Sequence, residues 1–121
     1  MEARVLVMNA DIQQLSSDLL AQADESWSDI QRQTVKIIYE ATERLAVLVV
    51  TPPYGDPDHW LHDLRSPGAS MLSAATLLLD EAEITPSNLD VGAVINLQNK
   101  ILELRAAIEE MSGAQPNLRY G

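Results

Sequence analysis

The chain has 121 residues, no cysteine, and 18 Asp and Glu against 8 Lys and Arg, for a net charge of −10. That length holds one domain and leaves no room for a further nucleotide-binding module of ordinary size. The acidic balance disfavours nucleic acid and anionic membrane surfaces as partners, and the missing thiols exclude disulfides and Cys-based zinc sites.

The N-terminus shows no basic segment followed by a long apolar run, and no window approaches the roughly 18 apolar residues a membrane span needs. A cytoplasmic protein with protein partners, no cofactor and no metal is therefore expected. The apolar residues recur at helical spacing almost throughout. The possible exception, where a strand could be read, is the short apolar run Val5 to Met8. The expected class is all-α: a long N-terminal helix plus an antiparallel helical hairpin, with a four-helix-bundle core formed by dimerisation.

In chain order, residues 1–50 form an N-terminal helical segment. From about residue 10 to 49, Leu20, Ala23, Trp27, Ile30, Ile37, Ala41, Leu45 and Leu48 lie near one face. The pattern favours one helix of about 39 residues, roughly 58 Å long. Asp24-Glu25-Ser26-Trp27-Ser28 is the place where it would break, since Ser28 followed by Gln31 fits a capping box. Thr51-Pro52-Pro53-Tyr54-Gly55-Asp56-Pro57 then stops any helix, because three prolines remove donors and clash with the preceding turn.

Residues 57–112 form the hairpin. Its first helix starts at Pro57 or Asp58, carries Leu61, Leu64, Gly68, Met71, Ala75, Leu78 and Ala82 at steps of three and four, and ends near Glu83 or Ile84. After Thr85-Pro86, with Ser87 or Asn88 as cap, Val94, Leu97, Ile101, Leu104, Ile108 and Met111 continue the alternation to a stop at Ser112-Gly113. Ile95 and Leu102 widen this last apolar face beyond a two-helix seam, so the hairpin is expected to pack on the first helix, on another copy, or on both. Residues 113–121 read as a flexible tail.

His62 stands one step from the stripe position Leu61, at the edge of the buried face. Ser66, Ala69, Ser73, Thr76 and Asp80 follow it at steps of three or four, a flank of small and polar side chains suited to close approach by another protein. A carboxylate that accepts the proton of one imidazole nitrogen makes the other more nucleophilic, and Asp63 is the candidate for that role. Pro67 removes the backbone bond to residue 63, and Gly68 adds freedom, so a bend is expected just after the histidine.

The run His62-Asp63-Leu64-Arg65-Ser66-Pro67 resembles the phosphoacceptor box of the histidine kinase dimerisation and phosphotransfer domain: His, an acid, a hydrophobic residue, Arg, a small polar residue and Pro. A weaker similarity extends through Met71-Leu72 and Leu77-Leu78-Leu79-Asp80-Glu81 into the partner helix, about residues 57–112. The resemblance implies that His62 is the phosphorylated nucleophile, Asp63 its activating acid/base, and Ser66 the residue that orients water or substrate in dephosphorylation. Arg65, Ala69 and Ser73 would meet the partner, a sensor kinase or a response regulator, and the protein would act as a homodimer in a two-component phosphorelay.

Two departures qualify the match. Gly68 stands where the family has a large aliphatic residue, and the Asn-bearing helix and glycine-rich loops of the kinase ATP-binding domain do not occur. Phosphate would then come from a separate kinase, unless the sequence is a piece of a longer one. A non-enzymatic module that keeps the fold and binds a kinase or regulator is the alternative. The monomeric histidine-containing phosphotransfer domain is a related possibility, disfavoured by Pro67 and by the absence of Lys-Gly after the hydrophobic position.

Plainer readings weigh against other chemistry. His59 and His62 with Asp58 or Asp63 lack a third firm metal ligand. Trp27 and Trp60 read as packing anchors, and Asp80-Glu81-Ala82-Glu83 as a solvated helix end. No Gly-x-Ser-x-Gly turn supports a serine hydrolase.

Overall fold

A computed structural model describes residues 2–51 and 57–113. Four helices follow one another: α1 Glu2–Ala21, α2 Asp29–Val50, α3 Pro57–Ile84 and α4 Val91–Gly113. No strand occurs among the described residues, and Val5 to Met8 lie inside α1. The Pro-rich stop at 52–56 and the tail from 114 lie outside the described residues.

The single long N-terminal helix does not form, because local bonds outcompete the helical ladder at residues 22–28. Asp24 Oδ1 accepts from both the amide (2.8 Å) and the hydroxyl (2.5 Å) of Ser26, an Asx-type turn that consumes groups a helix would use. The helix then restarts through a complete capping box. Ser28 Oγ accepts from Gln31 N at 3.1 Å, and Gln31 Oε1 accepts from Ser28 N at 2.9 Å. Ser28→Ala is expected to lower stability by about 1 kcal/mol, measured by urea unfolding. A change within error would show that the box contributes nothing to α2.

Breaking the chain there changes which face of α2 is buried. Val35 and Ile38 join Ala41 and Leu45 in the core, whereas Ile30 and Ile37, expected inside on a continuous helix, are exposed. In α1 the buried positions are Val5, Asn9, Ile12, Ser16 and Leu19. Asn9 Nδ2 donates to the Thr42 carbonyl at 2.8 Å, tying α1 to α2.

The hairpin stripes match their expectation closely. Leu61, Leu64, Met71, Ala75 and Leu78 of α3 are buried, as are Val94, Leu97, Ile101, Leu104, Ile108 and Met111 of α4. Gly68 is buried too and Ala82 half-buried. The start of α4 differs from expectation: Asp90, not Ser87 or Asn88, caps it, its Oδ1 accepting from Ala93 N at 3.1 Å.

Helices adjacent in sequence pack together, and α4 closes the ring against α1. The start of α1 meets the end of α4 through Arg4 and Glu110, and the start of α2 meets the end of α3 through Ser28 and Glu81. The four-helix core expected from two copies is thus assembled within one chain. The physical reason is the break at Asp24 to Ser28: two shorter helices fold back on each other and cover the face of α3 and α4 that a partner's hairpin would otherwise cover.

Candidate functional site

Pro57 opens α3, where a missing amide hydrogen costs nothing because the first-turn donors have no helical partner. Trp60 then fixes the first turns to α2, its Nε1 donating to the Leu48 carbonyl at 3.0 Å. The helix continues unbroken through Pro67. Pro67 and Gly68 are both buried, and a Cβ built on Gly68 would meet Arg105 Cγ at 3.2 Å. The stem of Arg105 from α4 thus lies over Gly68, where the family has a larger aliphatic residue.

With Leu61 and Leu64 buried, the 100° step per residue turns His62 directly outward. His62, Ser66, Ala69, Ser73, Thr76 and Asp80 are all exposed and form one line along α3. Every side chain after the histidine on this line is short, so the imidazole overhangs a low, polar ridge.

Asp63 is half-buried and lies seven residues before Ser70, on the side of α3 nearer α2. Its carboxylate lies 3.8 Å from His59 Nε2, one helical turn earlier, rather than being presented to the adjacent His62. Adjacent helical residues do not face each other, whereas residues four apart do, which accounts for the pairing. The rings of His59 and His62 are 6.4 Å apart with 35° between their planes. His59 is thus the member of the group that the motif did not single out.

Arg65 is exposed and paired with Glu109 of α4, Nε to Oε1 at 2.6 Å and Nη2 to Oε2 at 3.0 Å. The hydrogen bonds to Glu109 hold the guanidinium's pKa above its ordinary value against the opposing effect of burial, with the charges of Glu109 and Asp58 adding to the attraction. The two-pronged geometry fixes the start of α3 against the end of α4. Both side chains remain about half exposed, which limits the pair's contribution to roughly 1 kcal/mol or less. Glu109 left no local signal in the sequence, since it lies far along the chain from the histidine.

The structure therefore brings His62, Ser66, Ala69 and Ser73 together on one ridge, sets Asp63 beside His59, and ties Arg65 to Glu109 at its edge. No cluster of three or more His, Asp or Glu able to hold a metal ion occurs among the described residues. No helix among them is long and apolar enough to cross a membrane. No family model, curated protein or solved structure matches the chain, so the site is read from its own geometry.

Proposed function

We propose that the protein is a histidine phosphotransfer protein of two-component signalling, exchanging a phosphoryl group through His62 with a sensor kinase or a response-regulator aspartate. The observation that carries this reading is the placement of His62: outward on α3, at the head of a ridge of small polar side chains, inside a six-residue match to a phosphoacceptor box. A lone pair on a neutral imidazole nitrogen attacks phosphorus while the donor's P–N or P–O bond breaks, its electron pair staying on the nitrogen or carboxylate oxygen of the departing donor residue. The ring becomes a phosphorylated imidazolium, and the proton on its other nitrogen is released to solvent. In this reading Ser66, one turn further on, bonds a phosphoryl oxygen or water, and the low ridge admits the partner's acid-bearing face.

Incubation with a phosphorylated sensor kinase is expected to give one acid-labile label per chain. His62→Gln should abolish it, and His59→Gln should retain most of it. Equal labelling of His62→Gln and wild type would sink the assignment.

The pairing of Asp63 with His59 favours a second reading, a binding module that keeps the fold without the transfer step. The activating carboxylate is then engaged elsewhere. In that case signalling output is indifferent to His62→Ala, and a kinase or regulator still binds the variant.

A further inference from the structure

A groove runs between α2 and α3 beside the ridge. It has a cavity of about 300 Å³, with Thr34, Ser70, Ser73 and Ala74 between the side chains of Ile37 and Leu77. Thr34 and Ala74 are buried and form the floor. The rims are aliphatic and open to solvent: Ile37 is 47% and Leu77 48% exposed, and Ile30 (51%) and Ile84 (74%) continue them. Each rim pair is seven residues apart, two helical turns, so both rims repeat at the spacing of a packed helix. Small floor residues under large rim residues leave holes for side chains from a third helix.

Charge decides between candidate occupants. The chain carries −10, and one helical turn past the rim residues Ile37 and Leu77 the groove is bordered by the exposed carboxylates Glu40 and Asp80. A second copy would bring the same excess of negative charge to the contact and be repelled. A helix with aliphatic residues at i, i+3 or i+4, and i+7, and with Lys or Arg beside them, meets both the apolar rims and the acidic border.

We infer that the α2–α3 groove receives one amphipathic, basic helix of a protein partner. Ser73 belongs to both the groove and the ridge, about 16 Å along α3 from His62, so a helix seated there shares the ridge's far end with whatever docks at the histidine. The contact does not use the imidazole. It goes beyond the phosphotransfer reading and survives that reading's failure.

The test titrates a synthetic helical peptide, with leucines at i, i+3 and i+7 and flanking lysines, into the isotope-labelled full chain. Amide shifts are expected to cluster at Thr34, Ile37, Ser70, Ser73 and Leu77. Affinity should fall by about tenfold or more in both Ile37→Glu and Leu77→Glu, while remaining unchanged in Ile95→Glu on the outer face of α4. Replacing the peptide's lysines with glutamates should also weaken binding. Circular dichroism of each variant separates lost binding from lost fold, and Ile37→Ala supplies a milder change at the same rim. Shifts mapping elsewhere, wild-type affinity in both groove variants, or concentration-dependent self-association abolished by Ile37→Glu would overturn the inference.

Discussion

Trp27→Ala is expected to lower stability by about 3–5 kcal/mol, the range for deleting a large buried aromatic side chain. Trp27 is only 3% exposed and sits where the α1–α2 connection meets the α3–α4 connection. Its Nε1 donates to Asn88 Oδ1 at 2.5 Å. Asn88 in turn donates through Nδ2 to Asp24 Oδ2 at 2.5 Å and through its amide to Ser26 Oγ at 3.0 Å. Arg32 draws the same connection inward, donating to the carbonyls of Trp27, at 3.2 Å, and Asp24.

Trp27→Ala therefore removes both a packed ring and one strut of the link between the two hairpins. Total stability for a domain of this kind is about 5–15 kcal/mol, so the variant is expected to unfold at a clearly lower urea concentration or to be partly unfolded at rest. Trp27→Phe keeps most of the packing, leaves Asn88 without its donor, and should lose about 1–2 kcal/mol. A loss below 1 kcal/mol for Trp27→Ala would show that this end of the bundle is not held by the indole.

The same link has a pH dependence of known sign. The hydroxyl and amide of Ser26, with a smaller contribution from Arg32, hold the Asp24 carboxyl below its ordinary pKa against the opposing effect of desolvation. A carboxylate whose folded pKa is lowered contributes stability that is fully present above the unfolded value. That contribution is lost as pH falls through the folded value. The Asp24–Asn88 tie is accordingly intact at neutral pH and weakens only in acid.

The parts of the fold legible in sequence were those whose core positions are uniformly apolar. Val94 through Met111 and Leu61 through Leu78 alternate at three and four without a polar interruption, and their buried faces followed directly. α1 concealed its face because Asn9 and Ser16 occupy two of its five buried positions. A stripe with polar members has little periodic signal. The face of α2 was misread because continuity across Asp24 to Ser28 was assumed. Both signals for a break, the Asp24–Ser26 turn and the Ser28–Gln31 box, lie in the local residues, while the bonds that Asn88 makes with Ser26 and Trp27 reinforce it from far along the chain.

For the candidate site, the exposure of His62 followed from its single step past Leu61, but it stands opposite the buried face of α3 rather than at its edge, because Pro67, Met71 and Ala74 extend that face on the far side of Leu64. The geometry of Asp63 did not follow, because adjacency in sequence is not adjacency on a helix.

The burial pattern also shows how one chain fills a four-helix core. Val5, Asn9, Ile12, Ser16 and Leu19 of α1 have the same spacing as Leu64, Gly68, Met71, Ala75 and Leu78 of α3. Gln31, Thr34, Ile38, Ala41 and Leu45 of α2 likewise have the spacing of Val94, Leu97, Ile101, Leu104 and Ile108 of α4. The second and fourth positions of the α1 and α3 sets are Asn9 and Ser16 in one and Gly68 and Ala75 in the other, all smaller than the Ile, Met and Leu around them. In this register the place of His62 is taken in α1 by Ala3. The two hairpins thus share the spacing of these inner positions and differ around them, since the buried Val35 and Thr42 of α2 correspond to the half-buried Gln98 and exposed Arg105 of α4, and only one hairpin carries an imidazole at the His62 position.

Ile101→Ala is expected to cost about 2–5 kcal/mol, whereas Leu102→Ala, at the next residue, should cost about 0.5 kcal/mol or less. The two side chains are nearly equal in size and share the same stretch of α4, so intrinsic helix propensity changes little between them. Their environments differ: Ile101 is fully buried and Leu102 is 47% exposed. Alanine at 101 leaves a void among packed residues from the other helices, while at 102 it removes atoms that already touch water. Urea unfolding at two protein concentrations reads both effects. If a second copy covered the outer face of α4, Leu102→Ala would cost nearly as much as Ile101→Ala, and wild-type stability would fall on dilution. A bundle closed by its own α1 and α2 instead gives a large loss at 101, a small one at 102, and a midpoint independent of concentration.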